Sequence, residues 1–191
     1  MPRPQIDGKA TIAFIEHCRD STIPVEQFVL VSALGVATPL KFPYLAFNLL
    51  GGLLFWKKRA EDALRVSGIP FTVVRPGVME RVTDSWGRDH HLVLKGSGEA
   101  GEGVVSRLQV AELIAAAVNS REASANKVVE VVTAEGSVNQ DLAELWGLVP
   151  ASGPTIEQQK QAQEARTSLV QRAEQLDAEL DDAEKTIESA R

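Results

Sequence analysis

The sequence predicts an α/β fold: the C-terminal half of a doubly wound parallel sheet, followed by a charged C-terminal helix. Two continuous apolar and β-branched runs, Phe28–Val31 and Phe71–Val74, are typical of parallel strands that are covered on both faces. The amphipathic stretch between them has the length of a crossover helix, so the three segments predict a βαβ unit. From Thr155 onward the sequence changes to charged residues with a heptad pattern.

Composition and charge limit the classes of function. The 191 residues are 44% apolar and 24% charged, as in a globular chain with one domain and an appendage. The formal charge is −6, and the segment from Thr155 to the end contributes −4 through nine acidic and five basic residues. This balance argues against nucleic-acid binding, which needs clustered Lys and Arg. The single cysteine, Cys18, excludes an intrachain disulfide, and we predict no metal site.

The first predicted helix spans Ile6–Cys18, with Asp7 as its cap. Its expected buried face consists of residues at helical spacing, namely Thr11, Phe14, Ile15 and Cys18. Pro24 ends this pattern. The strand Phe28–Val31 then leads to Ser32 and to a tight turn at Gly35.

A second helix is predicted from Leu53 to Ser67, ending at Gly68. Its apolar face contains Trp56, Ala60, Ala63 and Leu64, and its polar arc is expected to contain Lys57, Lys58, Arg59, Glu61 and Asp62. The strand Phe71–Val74 follows and stops at Arg75-Pro76-Gly77.

The remainder of the first domain is less regular. We predict a short strand at Leu92–Leu94, an amphipathic helix at Arg107–Asn119, a strand at Lys127–Val132 and a helical turn at Leu142–Leu148. The domain is expected to cover residues 1–150, with 151–154 as a linker and 155–191 as an acidic amphipathic helix.

Residues 40–56 form the most apolar stretch of the sequence. About seventeen residues are short for a membrane-spanning helix, which needs about twenty, and Lys41, Asn48 and two glycines interrupt the run. We therefore expect a buried segment or a peripheral membrane contact near 42–56.

The C-terminal helix has an apolar seam at the period of a coiled coil. Its members step by four and three residues: Leu169, Ala173, Leu176, Leu180, Ala183 and Ile187. Two alanines and about three heptads predict weak self-association. Two interpretations remain, a helix that packs on its own domain and a docking helix for a protein partner.

The ends of the two predicted strands indicate where a ligand would bind, since doubly wound sheets bind ligands beyond the carboxyl ends of their strands. Ser32 ends the first strand and Arg75-Pro76-Gly77 the second, with Lys57 early in the helix between them. This order resembles the short-chain dehydrogenase/reductase superfamily of Rossmann folds. There the serine and a tyrosine orient a carbonyl, and the lysine binds the ribose and lowers the pKa of the tyrosine.

Longer blocks resemble one atypical branch of that superfamily. They are IDGKATIAFIEHC, FVLVSALG, LLFWKKRAEDALRVSGIPFTVVRPGVMERVTD, SRLQVAELIAAAV and NKVVEVVTAEG, and they cover Pro4 to Gly136. This branch includes the NADP-binding redox-sensor subunit of the chloroplast inner-envelope translocon and its plastid and cyanobacterial relatives. The resemblance implies a plastid protein on the stromal side, an NADP cofactor, and cofactor contacts from Ser32, Lys57 and Arg75-Pro76-Gly77.

The sequence departs from that superfamily at the catalytic tyrosine. Leu53 stands four residues before Lys57, where the tyrosine is expected, and the single tyrosine, Tyr44, is followed four residues later by Asn48. Without a phenol at this position, carbonyl redox chemistry loses its acid–base group. We therefore expect no catalytic residues and no dehydrogenase activity.

A second departure concerns the glycine loop that binds pyrophosphate. We expect no G-x-G-x-x-G or G-x-x-G-x-x-G motif after a strand, and the glycine-rich stretch 96–103 (GSGEAGEG) precedes no dinucleotide-type helix. That loop belongs to the first half of a Rossmann fold, so the sequence is interpreted as a fragment or a truncated homologue. NADP is then expected for the complete protein and no cofactor for this chain alone.

Structural roles are alternatives for each of these residues. Ser32 is equally compatible with capping the next segment, Lys57 with a solvated arc, and Arg75 with an ion pair to Glu80 or Asp84. Two further groups are assigned no site: the adjacent histidines are expected at the surface, and the carboxylates of the last strand lack the spacing for acid–base work, namely His90, His91, Glu130 and Glu135.

Two functions remain. The first is an NADP-linked redox-regulatory protein, non-catalytic or weakly catalytic. The second is a structural or assembly subunit that docks into a larger complex, such as a photosynthetic one, through its Rossmann body and C-terminal helix. The resembled plant proteins carry Pro- and Ser-rich C-terminal repeats that recruit ferredoxin-NADP reductase, and since no such repeats follow Gly153, that partner is not expected here.

Overall fold

A computed structural model describes residues 5–45, 51–80, 86–136 and 140–155, and, in the C-terminal region, 157–159, 161–162, 164–165, 167–173 and 175–176. The chain divides into two compact units. Met1–Ile156 is called the body and Glu157–Arg191 the C-terminal unit.

The body alternates helices and strands. In chain order they are a π-helical turn (Gln5–Ala10), α1 (Thr11–Asp20), β1 (Phe28–Val31), α2 (Leu53–Val66), β2 (Phe71–Pro76), β3 (Val78–Glu80), a 3₁₀ turn (Trp86–Arg88), β4 (His90–Lys95), β5 (Val104–Ser106), α3 (Arg107–Asn119), α4 (Arg121–Ser124), β6 (Lys127–Glu135) and α5 (Leu142–Leu148).

The main sheet has the strand order β1-β2-β6-β4. The pairs β1–β2 and β2–β6 are parallel, and β4 is antiparallel to β6. This arrangement confirms the predicted α/β fold with a parallel sheet. The strands β3 and β5 form a separate parallel pair, which the sequence analysis missed because each has only three residues.

Both faces of the main sheet are covered, as the continuous apolar strands predict. On one face α1 and α2 contribute Ile15 and Leu64, which pack against Phe71, Val73 and Val128. On the other face the core is larger and combines α3 and α5 with the alternate strand residues: Leu113, Ala117 and Trp146 with Val74, Val129 and Val131. Because strand side chains alternate with period two, neighbouring residues such as Val73 and Val74 serve opposite cores.

The first helix differs from its prediction at its start. Residues Gln5–Ala10 form a π-helical turn, and α1 begins only at Thr11. Asp7 does not cap the helix but forms an ion pair with Lys57. Phe14, expected on the buried face, is 58% exposed and contacts the ring of Phe28 at a centroid distance of 5.7 Å.

The segment predicted as a linker is held to the body by Asn126. The amide N–H of Ser152 donates to the carbonyl of Asn126 (2.7 Å), whose side-chain amide donates to the carbonyl of Pro154 (2.5 Å). The segment therefore has defined contacts despite its loop-like composition.

The C-terminal unit is helical wherever it is described. Leu169, Ala173 and Leu176 of the predicted seam are exposed, whereas Leu180, Ala183 and Ile187 lie outside the described residues. In the described ranges no helix combines the length and the apolar character that crossing a membrane requires. Part of the apolar stretch 40–56, residues 46–50, also lies outside those ranges.

Candidate functional site

Three polar side chains lie side by side at the carboxyl ends of the parallel strands. Arg75 of β2 is paired in register with Glu130 of β6, and Ser32 directly follows β1, where its N–H donates to the carbonyl of Val74 (2.7 Å). Arg75 and Glu130 share the strand parity of Val73 and Val128, so they face α2. All three are buried, with 5% of Ser32, 2% of Arg75 and 1% of Glu130 exposed.

Helix α2 completes this group with Glu61, which the sequence analysis placed wrongly on the polar arc. Glu61 is fully buried and lies seven residues after buried Leu54 and three before buried Leu64. That spacing puts it on the apolar stripe of the helix. The burial of Glu61 was not predicted because an isolated ionised carboxylate is costly to bury, so a glutamate is ordinarily assigned to the exposed face of a helix.

The four residues form a buried polar cluster, called here the Arg75 cluster: Ser32, Glu61, Arg75 and Glu130. Arg75 donates through Nε and a terminal nitrogen to the two oxygens of Glu61 (3.0 and 2.7 Å), and its other terminal nitrogen lies 3.4 Å from Glu130 Oε1. The Ser32 hydroxyl donates to Glu61 Oε1 at 2.5 Å. The expectation of an ion pair for Arg75 holds, and the partners that the structure shows are Glu61 and Glu130. Of the two partners expected, Glu80 and Asp84, the second lies outside the described residues.

Electrostatics keep the arginine charged. Burial alone would lower the pKa of Arg75, but the hydrogen bond and charge of Glu61, and then those of Glu130, raise this pKa above its ordinary value. A two-pronged arginine–carboxylate contact is a strong form of ion pair. Arg75 therefore links the sheet to α2.

The glycine-rich stretch 96–103 also stabilises the buried negative charge of Glu130. The amide N–H groups of Gly98 and Ala100 donate to its two carboxylate oxygens at 2.8 and 3.0 Å. The Ser97 hydroxyl in turn accepts from Arg75 at 2.5 Å. Amides that converge on one anion in this way form an anion-binding concavity. Here a carboxylate of the same chain fills it.

This loop corrects one prediction. Residues 96–101 (GSGEAG) have the G-x-G-x-x-G spacing, and they do follow a strand, β4, which ends at Lys95. The next element is strand β5 and not a helix, so no helix N-terminus points at the loop. The spacing matches a nucleotide loop, but the fold around it does not.

Pro76 and Gly77 have structural tasks at the end of β2. The carbonyl of Pro76 accepts from the N–H of Leu34 (2.9 Å), and the N–H of Gly77 donates to the carbonyl of Val131 (2.9 Å). A β-carbon at Gly77 would collide with the carbonyl oxygen of Gly103. Glycine is thus required for a close crossing of two backbone segments.

Lys57 lies with Ser32 at a cleft of about 50 Å³ beside β1. Its ammonium nitrogen is 3.0 Å from Asp7 Oδ1 and 3.5 Å from the carbonyl oxygen of Val31. The side chain of Lys57 is only 19% exposed, so it does not belong to a solvated arc. The structure therefore brings two predicted cofactor contacts, Ser32 and Lys57, to one cleft.

A second cleft, of about 170 Å³, contains the single tyrosine. Its lining comes from two stretches of the chain and from β6, and it includes Gly35, Lys41, Tyr44, Gly98, Ala100, Glu102 and Glu130. Burial, followed by the charges of Glu102 and Glu130, raises the pKa of the Tyr44 phenol above its ordinary value. Tyr44 and Lys57 thus line separate clefts, and Leu53 occupies the first position of α2.

Two histidines, His90 and His91, begin β4. His90 stacks on Trp86 with a centroid distance of 4.0 Å and is part-buried, so the expectation of simple surface histidines is incomplete. Across the described ranges no group of His, Cys, Asp and Glu residues has an arrangement that would hold a metal ion.

Comparisons with known proteins agree with this geometry. The family described as NAD(P)H-binding matches residues 2–121. The chain is 37% identical over 166 residues to the chloroplastic protein TIC 62 of Pisum sativum, covering 87% of this chain and 30% of that protein. It is 48% identical over 128 residues to the chloroplastic protein TIC 62 of Oryza sativa, covering 67% of this chain and 25% of that protein.

A solved structure supports the fold. A putative NAD-dependent epimerase/dehydratase from Bacillus halodurans superimposes with a TM-score of 0.60 at 24% identity, over 75% of this chain and 60% of that one. The chain spans less than a third of the length of the two plant relatives. The predicted resemblance to atypical short-chain dehydrogenases is confirmed, and the chain belongs to the NAD(P)H-binding family of Rossmann domains.

Proposed function

We propose that this protein binds NADP(H) as a redox signal in a plastid and does not use it to reduce a carbonyl. Membership in the NAD(P)H-binding family supports nucleotide binding. The two chloroplastic relatives support the plastid location. The choice of NADP over NAD and the regulatory role belong to the proposal.

The hydrogen bond made by the Ser32 hydroxyl is the observation that supports the absence of carbonyl reduction in this proposal. A serine that orients a substrate carbonyl must donate its single O–H to that carbonyl. Here that O–H donates to Glu61 Oε1 at 2.5 Å, inside a buried cluster. Since Leu53 stands where a phenol would be needed, neither group is available to protonate a developing alkoxide.

The test is nucleotide binding without turnover. We expect a complete protein, in which a glycine-loop half of the Rossmann fold accompanies these 191 residues, to change NADPH fluorescence saturably. The same preparation should not oxidise NADPH with aldehydes or ketones above the rate in buffer. Turnover that disappears in a Ser32→Ala variant would show a working dehydrogenase and contradict the proposal.

A second function, an assembly subunit, is favoured by the C-terminal unit. Leu169 and Leu176 lie on its helix with 70% and 45% of their surface exposed. Exposed leucines at heptad spacing are typical of a helix that packs against another helix. This function predicts that the C-terminal unit retains partners in an affinity purification irrespective of the nucleotide present.

A further inference from the structure

We propose that the cleft of about 170 Å³ that contains Tyr44, called here the Tyr44 cleft, binds a small organic cation with an alkylated ammonium group. The site is independent of the nucleotide binding proposed above. Its lining combines two aromatic side chains, Phe42 and Tyr44, with two carboxylates, Glu102 and Glu130. Aromatic rings are the usual partners of quaternary ammonium groups in proteins, and carboxylates supply the opposite charge.

Backbone hydrogen bonds fix both stretches of chain that line the cleft. In residues 35–45, three successive N–H groups donate to the carbonyl three or four residues earlier, at 3.0, 3.1 and 3.0 Å. In residues 96–101, two amides donate to the carboxylate of Glu130 at 2.8 and 3.0 Å. The lining is therefore organised before a ligand arrives, which lowers the entropic cost of binding.

The ring of Tyr44 is held in the cleft by the turn at Gly35. A β-carbon at Gly35 would collide with the Tyr44 ring, and the φ of Gly35 is +88°, a conformation that favours glycine. The ring therefore packs directly on the backbone of the turn. This contact fixes the aromatic part of the proposed site.

The charges of the lining favour a cation. Two carboxylates, Glu102 and Glu130, line the cleft together with one ammonium group, that of Lys41. Behind Glu130, the charges of Arg75 and Glu61 oppose each other in the Arg75 cluster. One negative charge is therefore left over at the cleft, and salt screens a partly buried charge less than an exposed one.

The phenol of Tyr44 responds to the same negative charge. Burial raises the pKa of Tyr44, and the charges of Glu102 and Glu130 raise it further. A negative potential that disfavours a phenolate also disfavours an anionic ligand and favours a cationic one. Because Tyr44 keeps its proton near pH 7, its ring remains a neutral aromatic partner for a cation.

The size of the cleft limits the ligand to a small molecule. An engineered cavity of about 150 Å³ in another protein binds benzene, so a volume of about 170 Å³ accommodates about six non-hydrogen atoms. Choline, a quaternary ammonium group on a short hydroxylated chain, is close to this size. Phe42, with 81% of its surface exposed, would then be partly covered by the methyl groups of the cation.

The test compares choline with dimethylbutanol, its neutral isostere, in which carbon replaces the ammonium nitrogen. Binding to the 191-residue chain is followed by NMR shift titration. We expect choline to bind about tenfold more tightly, since the two probes have the same shape and differ in charge. In Glu102→Gln this preference should fall to about threefold. Glu99→Gln makes the same charge change in the same loop but outside the lining, and it should keep the preference.

Two further variants give changes of opposite sign. Tyr44→Leu should reduce the preference about fivefold because the aromatic partner is lost, and Tyr44→Phe, which keeps the ring, should retain it. Lys41→Gln should raise the affinity for choline about twofold, because it removes a like charge from the lining. If Tyr44→Leu does not fold, Glu102→Gln and Lys41→Gln still test the site, since both change exposed residues.

Equal binding of the two probes by the wild type, an unchanged preference in Glu102→Gln, or no binding of choline would overturn the inference. A weaker affinity for choline in Lys41→Gln would overturn it as well, since the cleft would then not select a positive charge. A structural effect of a variant would change the binding of both probes equally and leave their ratio unchanged.

Discussion

Arg75 illustrates how single residues combine structure and site. Its guanidinium lies against Glu61 and Glu130, so one positive charge faces two carboxylates in a buried cluster. The backbone N–H groups of Gly98 and Ala100 and the hydroxyl of Ser32 supply the remaining stabilisation. Buried ion pairs are sensitive to the loss of one partner, because the other charge then remains desolvated.

We predict that Arg75→Met lowers the free energy of unfolding by about 3–5 kcal/mol, since both glutamates lose their cation. Urea unfolding followed by circular dichroism measures the change. The control Lys58→Met, which removes the exposed Lys58–Asp62 pair, should change stability by less than about 1 kcal/mol. Equal losses in the two variants would show that the Arg75 cluster contributes no more than a surface pair.

Tyr44 gives a pH prediction because it is the single tyrosine of the chain. Burial and then Glu102 and Glu130 raise the pKa of its phenol, so the folded state holds the proton more tightly than the unfolded state. The resulting stability is present below the ordinary pKa of about 10 and is lost as the pH rises through the raised value. Phenolate absorbance should titrate at higher pH in the native protein than in denaturant, and Glu102→Gln should reduce the difference. A native phenol that titrates at or below the denatured value contradicts this expectation.

At the residue scale, the sequence predicted which residues lie at the strand ends, but it did not predict which contacts they make. Strand alternation places Arg75 and Glu130 on the face of Val73 and Val128, and this signal was available from the sequence. Their register was not, because it depends on how β6 pairs with β2 across 55 residues of chain. Asp7 was likewise assigned to a cap, since no sequence pattern distinguishes a π-helical turn from a regular one.

At the scale of secondary-structure elements, the start of β3 passes close to the loop before β5. This close approach depends on Gly77 and Gly103. The carbonyl of Gly103 accepts from the N–H of Val78 (2.8 Å) directly beside Gly77. This close approach links the end of β2 to the glycine-rich stretch that holds Glu130. Short strands of this kind escape prediction because three residues give no measurable periodicity.

We predict that Gly77→Ala destabilises the body by about 1–3 kcal/mol, because the added methyl group forces two backbone segments apart. Gly101→Ala is the control in the same region, where an added β-carbon meets no atom within 4 Å. Thermal unfolding of the two variants gives the comparison. A Gly77→Ala protein as stable as Gly101→Ala would mean that the crossing relaxes without cost.

The C-terminal unit provides the second prediction for an element. Deletion of Thr155–Arg191 should leave the body folded, since the two cores of the main sheet consist of body residues. The shortened protein should keep its cooperative unfolding but no longer co-purify with its partners. If it still co-purifies with them, the helix is not the docking element.

At the scale of the whole molecule, the expected affinity for a dinucleotide depends on whether backbone amides are available to bind its pyrophosphate. The one G-x-G-x-x-G stretch has its amides filled by Glu130, and β5 follows it where a nucleotide fold has a helix. The fold class was predictable from the sequence pattern alone, whereas the position of residues 96–101 directly after a strand was not recognised. The contact between Glu130 and the amides of this loop became visible only in the structure, because it depends on how distant segments pair.

We therefore predict that the 191-residue chain alone forms no tight complex with NADPH. Isothermal titration calorimetry with NADPH should give no saturable heat at micromolar protein concentration. A tight, saturable complex would show that the chain binds pyrophosphate through groups other than a glycine loop.

The Arg75 cluster also has a consequence for how the chain reaches its native state. Its charges come from α2, β2 and β6, and the contacts of Arg75 span 14 residues to Glu61 and 55 residues to Glu130. No local segment can satisfy the cluster, so its stabilisation arises only after distant elements have docked. Contacts at such separation slow folding, because chain entropy is lost before they form. Partial structures would leave a desolvated charge, and the body should therefore assemble in one concerted step.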